Sequence, residues 1–507
     1  MDLNLKRTLL VLFILTVEFG FLSNANFVFP VEHKFKRPHT NLSLNAIKAH
    51  DSLRHRRFLA TVDIELAGNG LPSSTGLYYT KLGLGSPAKN FHVQVDTGSD
   101  IMWVDLAFYD LKDSKTSAVV PCDGDFCSAS HGGQVSDCEK DKPCPYVITY
   151  GDGGQTSGSF VKDLLTFNRA EGNLRTGPDN SSVIFGLSTI DPHSGSNPFV
   201  DSMHGRCGSK QSGTLSESSD ESLDGIIGFG QANSSVLSQL AAAGKAKKVF
   251  SHCLDNIRGG GIFSIGQVVE PKFNTTPLVP RILLDCSATE MKSLILVEDK
   301  KAHYNIILKD LEVDGDFLKL PLDIFDTGNG RRTIIDSGTT LVYLPPNIYD
   351  QLMDKVLRWQ PRLQIFIIEK QYRCFRFWSN FDASFPVVKF HFERLSLIAY
   401  PSDYMFHYNE DIYCIGWQKS VSENKNAKDL ILLGDLLLSN KVVVYDLEKM
   451  EIGWKDYNCS SSIKVKDEKT GSVYTVGSHN LSPSASSTVV IGGMLPIFLL
   501  LIAMITV

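Results

Sequence analysis

Two runs within residues 76–98 alternate apolar and polar side chains. The runs are GLYYTKLGLG and NFHVQVDTG, and Gly, Ser and Pro residues that favour turns lie between them. A period of two puts successive side chains on opposite faces of a strand, so each run predicts a half-buried β-strand. Short runs of this kind dominate the chain to about residue 460. The pattern therefore predicts a mostly β fold.

A hairpin and two helices complete the predicted elements. The segment VITYGDGGQTSGSFVKDLLTF, residues 147–167, has strand-like ends around a polar, glycine-rich centre, which is typical of a β-hairpin. Residues 234–245 and 346–358 are the two segments predicted to be helical.

One tetrapeptide pattern occurs twice, each time behind a short apolar run. DTGS stands at 96–99 and DSGT at 336–339. Each copy is followed later by two large apolar residues and a glycine, as LDGIIGFG at 223–230 and LILLGD at 430–435. An internal repeat of this kind predicts two similar lobes.

The repeated motif has the residue types that an acid–base pair needs. Asp96 and Asp336 would face each other across a pseudo-twofold axis. Two carboxylates that lie so close cannot both ionise easily, so they share one proton over a broad acid range. The ionised member would take a proton from a bound water, and the protonated member would polarise a carbonyl group. This chemistry hydrolyses a peptide bond and requires no cofactor and no metal.

The neighbouring motif residues would hold the pair in place. Each glycine would allow a tight turn and bring the two loops together, one residue of each copy would bond to the facing loop, and one would reach the carboxylate. These supporting residues are Thr97, Gly98, Ser99, Ser337, Gly338 and Thr339.

The two chain ends predict entry into the secretory pathway and attachment to a membrane. Residues 1–25 combine basic residues, an apolar stretch and a small-residue cleavage site in the order of a signal peptide. Residues 489–507 are apolar and follow the small, polar stretch GSHNLSPSASST, as in a GPI-attachment signal. Asn480 is the expected attachment residue, with Ser482, Ser484 and Ser486 as alternatives. A retained single span is the alternative. The expected location is the outer face of the plasma membrane.

Charge and composition indicate which partners and modifications the chain can have. The net charge of −6 and the pI near 6.1 give no reason to expect nucleic-acid binding. Residues 26–60 carry seven Lys or Arg against two acidic residues. This leader is predicted to be a prosegment that lies across an acidic cleft, with a solvated basic arm as the alternative. Five tripeptides predict glycosylated asparagines on a secreted chain, at Asn41, Asn180, Asn233, Asn274 and Asn458.

These motifs together resemble the pepsin-like aspartic proteases, and among them the plant GPI-anchored, nepenthesin-related type. VDTGSDIMWV and IIDSGTTLVYLP are similar to the two active-site loops, and ITYGDGGQTSG is similar to the flap. The resemblance implies that Tyr150 closes over the substrate and pairs with Trp103. It also implies a bilobal fold with a cleft that binds extended polypeptides, in a monomer. AHDSLRHRRFL, at 49–59, is similar to the family's prosegment.

The resemblance also implies disulfides and domain boundaries. Cys374 would pair with Cys414 in the second lobe, and Cys253 with Cys459 between the lobes. The chain would divide into a signal peptide (1–25), a prosegment (26–72), an N-terminal lobe (73–275), a C-terminal lobe (276–460), a linker with the GPI attachment region (461–488) and an apolar signal (489–507).

Three regions depart from the family pattern. A cysteine-rich stretch is missing after Trp103, and residues 187–206 and 282–302 are inserted. Five cysteines remain in the first lobe, so at least one of them must pair elsewhere, with Cys286 as one choice, or stay free. These changes leave open a second function, a catalytically inactive binding or inhibitor protein on the same fold.

Overall fold

The computed structural model describes residues 27–30, 32–33, 78–131, 138–139, 141–149, 155–188, 223–257, 259–279, 303–319, 333–368, 372–380, 382–409, 411–420, 431–467 and 471–478. These residues form many strands and few helices, which confirms the predicted fold class.

Strands of the first half of the chain include those that lead into and follow the first repeated motif. They are β1 (Phe27–Pro30), β2 (Glu32–His33), β3 (Tyr78–Leu84), β4 (Lys89–Asp96), β5 (Trp103–Asp105), β6 (Ala118–Val119), β7 (Pro145–Thr149), β8 (Gln155–Gly172), β9 (Arg175–Ser188), β10 (Gly225–Gly228), β11 (Val249–Leu254), β12 (Gly261–Ile265), β13 (Gln267–Glu270) and β14 (Asn274–Pro277).

The second half is built in a similar way. Its strands are β15 (Tyr304–Ile306), β16 (Leu308–Val313), β17 (Asp316–Phe317), β18 (Thr333–Ile335), β19 (Val342–Leu344), β20 (Phe366–Ile368), β21 (Tyr372–Arg376), β22 (Val388–Phe392), β23 (Ser396–Ala399), β24 (Met405–Asn409), β25 (Ile412–Ile415), β26 (Trp417–Lys419), β27 (Ile431–Leu433), β28 (Lys441–Asp446), β29 (Glu451–Asp456), β30 (Ser462–Lys466) and β31 (Val473–Gly477).

Both predicted helices are present. The described helices are α1 (Asp125–His131), α2 (Val236–Ala242), α3 (Pro346–Leu357), α4 (Pro401–Tyr404) and α5 (Asp435–Leu438), with a 3-10 turn at Leu111–Asp113. Helix α2 is shorter than the predicted 234–245, because the Ser235 side chain caps its first turn and Gly244 takes a left-handed φ of 66° after its end. Helix α3 buries Ile348, Leu352 and Val356 at a spacing of four.

One sheet joins the two halves of the chain. Strand β11 pairs antiparallel with β28, and β14 pairs antiparallel with β29, so the paired strands β28 and β29 of the second half lie between strands of the first half. The main hydrophobic core continues through both lobes and includes Phe250 next to Tyr445. This shared sheet fixes how the two lobes meet.

Two short strands come from the predicted prosegment. Strand β1 pairs with β12 and β8, and β2 pairs with β3, so both join the main sheet. The other residues of the leader lie outside the described part of the chain, as do the predicted signal peptide and the apolar stretch at 489–507. Among the described residues no helix is long and apolar enough to cross a membrane.

The residues directly after 461 are not a linker, which corrects the predicted boundary. Strands β30 and β31 form a hairpin that pairs with β13. Ile463, Val465 and Val476 are buried against the shared sheet, because their alternating apolar side chains all point to that sheet. The hairpin also contacts the first lobe, where the Leu174 N–H donates to the Thr475 carbonyl at 2.7 Å. We call residues 462–477 the C-terminal hairpin.

Four disulfides cross-link the described residues. Cys253 is bonded to Cys459 and Cys374 to Cys414, which are the two pairs that the family resemblance implies. In the first lobe the bonds are Cys122–Cys138 and Cys127–Cys144. Four of the five first-lobe cysteines therefore pair with one another, and Cys207 and Cys286 lie outside the described residues.

The chain after Trp103 is packed in spite of its missing segment. Tyr109 is buried, and its hydroxyl donates to the Asp163 carboxylate. Thr116 donates to the same carboxylate. These contacts hold the shortened loop on the long β8–β9 hairpin. Of the inserted segment 187–206 the structure describes only Leu187 and Ser188, at the end of β9. All of 282–302 lies outside the described part of the chain.

Candidate active site

The two aspartates stand at matching places in the two lobes. Asp96 ends β4, which pairs in parallel with β10, and Asp336 follows β18, which pairs in parallel with β27. Ile226–Gly228 and Leu432–Gly434 are thus the parallel neighbours of the two loops. The internal repeat read from the sequence corresponds to this repeated supersecondary unit.

Each aspartate has the same set of hydrogen bonds. The Gly98 N–H donates to Asp96 Oδ1 at 2.8 Å, and the Gly338 N–H donates to Asp336 Oδ1 at 2.8 Å. The Ser99 hydroxyl bonds to Asp96 Oδ2, and the Thr339 hydroxyl donates to Asp336 Oδ2 at 2.8 Å. Both aspartates are buried. Hydrogen-bond donors around a carboxylate favour its ionised form and fix its direction.

The two loops touch each other. A Cβ placed on Gly98 would lie 2.6 Å from Asp336 Oδ2, so this glycine lets the loop of one lobe approach the carboxylate of the other. Neither Gly98 nor Gly338 has a positive φ. Both glycines lie in turns, as predicted, and at position 98 the close approach of the facing loop requires glycine without a left-handed φ.

Contacts between the lobes fix the loops further. The Ser337 N–H donates to Thr97 Oγ1 at 2.8 Å, and the Gln94 side-chain amide donates to the Gly338 carbonyl at 3.3 Å. Thr97 thus bonds to the facing loop as predicted. Ser337 does so through its backbone, and its buried Oγ has no hydrogen-bond partner within the described residues. The two loops are therefore held asymmetrically.

Gly228 and Gly434, which end the two apolar-apolar-glycine segments, allow each aspartate loop to pack closely on its neighbouring strand. A Cβ on Gly228 would lie 2.7 Å from the Ser99 carbonyl oxygen, and a Cβ on Gly434 would lie 2.4 Å from the Thr339 carbonyl oxygen. Any larger residue would push the loop away. In both lobes, close packing against the aspartate loop thus explains why a glycine follows the two apolar residues.

The predicted flap is a hairpin. Strands β7 and β8 pair from Pro145↔Ser159 to Thr149↔Gln155, and the five residues between them, Tyr150 included, lie outside the described part of the chain. Trp103 is buried in one cluster with Tyr146 and Phe160 of this hairpin. Trp103 therefore supports the base of the hairpin.

Other side chains near the loops are structural. Asp100 accepts a hydrogen bond from the Ala232 N–H at 2.9 Å, as a turn residue does. Cys127, His131 and Cys144 are close enough to ligate a metal, but the two cysteines are joined in a disulfide and offer no thiolate.

The predicted glycosylation residues that the structure describes are exposed, namely Asn180, Asn233, Asn274 and Asn458. Asn41 and the expected GPI residue Asn480 lie outside the described part of the chain.

Three buried polar residues near the site were not found from the sequence. Gln94 lies across from Gly338, Tyr445 bonds to Thr97, and His252 Nε2 is 3.1 Å from the Tyr445 hydroxyl. Burial raises the pKa of the Tyr445 hydroxyl, so it stays protonated. Each stands in a strand among apolar residues, and no local pattern distinguishes it from a core or surface position.

Family models and known proteins match most of this sequence. Models described as Xylanase inhibitor N-terminal and Xylanase inhibitor C-terminal match residues 78–267 and 303–456. The chain is 45% identical over 501 residues to Aspartic proteinase 36 of Arabidopsis thaliana, with 96% of this chain and 94% of that protein covered. It is 44% identical over 522 residues to Aspartic proteinase 39 of the same plant, with 99% of each covered.

Solved structures show the same two-lobed fold at low identity. The crystal structure of EDGP matches with a TM-score of 0.59 at 16% identity, covering 86% of this chain and 96% of that one. Conglutin gamma, a basic 7S globulin from lupine seeds, matches with a TM-score of 0.58 at 14% identity and the same coverage. From its matching domains and its relatives, the chain belongs to the plant pepsin-like aspartic proteases.

Proposed function

We propose that the protein is an endopeptidase that hydrolyses polypeptides at acid pH with Asp96 and Asp336. The observation that carries this proposal is the meeting of the two loops. Each buried carboxylate accepts the same pair of hydrogen bonds, and Gly98 of one loop contacts the carboxylate of the other. A binding protein would not need this matched arrangement of two acids.

The mechanism follows from the closeness of two acids. One proton shared by the pair leaves one carboxylate ionised, and this carboxylate removes a proton from a water that is held between them. The protonated partner donates to the carbonyl oxygen of the scissile bond and stabilises the tetrahedral intermediate that the water forms. Collapse of this intermediate breaks the C–N bond, and the proton taken from the water passes to the leaving amine. The hydrogen bonds from Ser99 and Thr339 keep the carboxylates oriented during the transfer.

An extended polypeptide is the proposed substrate. The relatives are named aspartic proteinases, and the β7–β8 hairpin has the antiparallel pairing that a flap over a bound strand would need. Tyr150 at its tip would close over the substrate, above the base that Trp103 supports. The mature enzyme would act as a monomer.

We assign residues 26–72 to a prosegment. Its strands β1 and β2 join the main sheet, which supports a role in the unprocessed chain. Its basic residues would pair with carboxylates until acid protonates them.

For location, we propose the secretory pathway and the outer face of the plasma membrane. The exposed Asn180, Asn233, Asn274 and Asn458 agree with glycosylation in that pathway, and the disulfides agree with an oxidising compartment. A GPI anchor at Asn480 would hold the protein, and a retained single span is the alternative.

A second candidate is an inactive binding or inhibitor protein. The matching models carry the description xylanase inhibitor, and two of the similar structures are globulins, one of them from lupine and one from soybean. The two functions differ in one measurable property, which is turnover.

The test is digestion of a denatured protein at about pH 4, with and without pepstatin. We expect pepstatin-sensitive cleavage by the wild-type enzyme and a loss of at least about 1,000-fold in kcat for Asp96→Asn and for Asp336→Asn, since each substitution removes the shared proton. Asp123→Asn is the matched control, because Asp123 is exposed and distant in sequence from both motifs. Equal cleavage by the wild type and the two site variants would overturn the proposal and favour the binding protein.

A further inference from the structure

We infer that His252 is a positioning residue that holds the contact between the two aspartate loops through Tyr445 and Thr97. This inference rests on the proposed endopeptidase function. His252 itself touches neither aspartate in the contacts described above. It would act by fixing the hydroxyl group that receives the bond from the facing loop.

A chain of buried hydrogen bonds connects these residues. The Ser337 N–H donates to Thr97 Oγ1 at 2.8 Å, the Tyr445 hydroxyl bonds to Thr97, and His252 Nε2 lies 3.1 Å from the Tyr445 hydroxyl. All four residues are buried. In this buried site, each of these bonds limits the positions that the next group can take.

The shared sheet holds the Tyr445 ring rigidly. Phe250 of β11 stands opposite Tyr445 of β28 and stacks on it, with ring centroids 4.4 Å apart and planes 3° apart. Tyr304 packs against the other rings with its centroid 4.6 Å from that of Tyr445. Packing thus places the Tyr445 oxygen, and hydrogen bonds decide where its proton points.

The surroundings of His252 assign its proton. Within the described residues Nδ1 has no hydrogen-bond partner. A buried N–H without a partner is rarer than a buried acceptor without one, so Nδ1 is unprotonated and Nε2 carries the proton. His252 Nε2–H then donates to the Tyr445 oxygen, which also shares a hydrogen bond with the Thr97 hydroxyl. Thr97 thus links Tyr445 to the Ser337 N–H of the facing loop.

The donor stays in place at the acid pH of the proposed reaction. Burial lowers the pKa of His252 to about 3, so the imidazole is neutral near pH 4. Tyr445 is the titratable group that contacts it from β28, and from β12 the uncharged Phe263 stands opposite it. The network therefore persists where the aspartate pair works.

The experiment compares His252→Gln, His252→Phe and Tyr445→Phe in the full chain. Glutamine keeps an N–H donor near the position of Nε2, whereas phenylalanine fills the space without one. We expect His252→Phe and Tyr445→Phe each to lower kcat about ten-fold with little change in KM, and His252→Gln to retain at least about half of kcat. The double variant His252→Phe/Tyr445→Phe should lose no more than the single ones, because both break one chain.

A packing role gives a different result. If His252 only filled space, His252→Phe would keep kcat, because it removes a buried polar group and leaves the ring volume; that outcome overturns the inference. Ile262→Val is the control, because Ile262 belongs to the cluster on the other side of the sheet. It should lower the melting temperature and leave kcat unchanged.

A second readout separates this inference from the proposed function. Hydrogen exchange of the peptide that contains Ser337 should be at least about five-fold faster in His252→Phe and Tyr445→Phe than in the parent and His252→Gln. The reason is that the hydrogen bond from the Ser337 N–H to Thr97 Oγ1 is weakened in the first two variants. If the parent cleaves no substrate, the proposed function fails, and the exchange rates alone decide the network. Equal exchange in all variants overturns it.

Discussion

Glycine 98 is the residue whose size the site tolerates least. A Cβ at this position would lie 2.6–2.7 Å from all three carboxylate atoms of Asp336, a distance at which one loop has to move. The alternative of a strained φ does not apply, because Gly98 has no positive φ. The separation of the two acids therefore depends on the absence of one methyl group.

We predict that Gly98→Ala lowers kcat at least about 100-fold, because separated carboxylates no longer share a proton. The assay is the acid digestion of a denatured protein. Gly172→Ala is the matched control, since the atoms nearest to a Cβ there are 3.8 Å away. A Gly98→Ala enzyme with full kcat would contradict the contact between the loops.

The low pKa of His252 predicts that the free energy of unfolding depends on pH. Its pKa is about 3 in the folded protein, against an ordinary 6.5. The unfolded state therefore binds more protons between these values, and the contribution of His252 to stability falls as the pH drops through 6.5 and levels off below about 3. At about pH 4 this loss is about 3 kcal/mol relative to neutral pH.

The measurement is denaturant unfolding of the parent and of His252→Gln at about pH 7.5 and pH 4. We expect the parent to lose about 3 kcal/mol more than the variant between the two conditions, because glutamine does not titrate. All other groups contribute equally to both proteins and cancel in the difference. The same loss in both proteins would show that His252 is not a buried neutral group.

At the scale of elements, strand β28 contributes side chains to two different hydrophobic clusters, one on each face of the sheet. Val442 and Val444 belong to the cluster under the C-terminal hairpin, whereas Val443 and Tyr445 belong to the main core. Because successive side chains of a strand point to opposite faces, the hairpin covers the face that turns away from Tyr445. The hairpin should therefore stabilise the sheet without touching the aspartate loops.

We predict that Val465→Ala destabilises the protein by about 2–4 kcal/mol, as expected for a truncated side chain in a closed core, with kcat unchanged. The free energy is measured by denaturant unfolding. Lys464→Ala is the neighbouring control: its side chain is exposed and its ion pair with Glu270 is worth about 1 kcal/mol or less. Equal effects of the two substitutions would contradict the burial of the hairpin.

At the scale of the molecule, the two halves of the chain form one body. The Cys253–Cys459 bond and the β11–β28 pairing join the lobes behind the loops, and the Tyr78 hydroxyl meets the Ser439 hydroxyl at 3.2 Å across 361 positions. The C-terminal hairpin adds a contact to the first lobe through Thr475. The last described strand is therefore held in the folded body up to residue 477, which precedes the proposed attachment residue in the sequence.

We predict that a phosphatidylinositol-specific phospholipase releases the protein from the surface of cells that express it. The expected result follows from a GPI anchor at Asn480, since the enzyme cuts the lipid from the glycan. The measurement is the amount of protein in the medium before and after treatment. Replacement of Asn480 by a large residue tests the site. Retention on treated cells would favour the single span.

Sequence alone was sufficient for the parts of this protein whose chemistry is local. Asp96 and Asp336 were predicted from two tetrapeptides, because tight loops after buried strands require the same few residue types in both lobes. The mostly β class followed from a period of two, and helix α3 from its own residues. These features depend on neighbours within a few positions.

Only the tertiary structure decided the residues that support the pair. Alternation along β4 puts Gln94 in phase with the exposed His92, yet Gln94 is buried because the loop at Gly338 covers it from 244 positions away. His252 meets Tyr445 over 193 positions. The sequence of the C-terminal hairpin predicts a linker, because its few apolar residues gain a partner only when the sheet beneath them is complete. Burial by a distant segment leaves no local trace, and for that reason these contacts could not be predicted from the sequence.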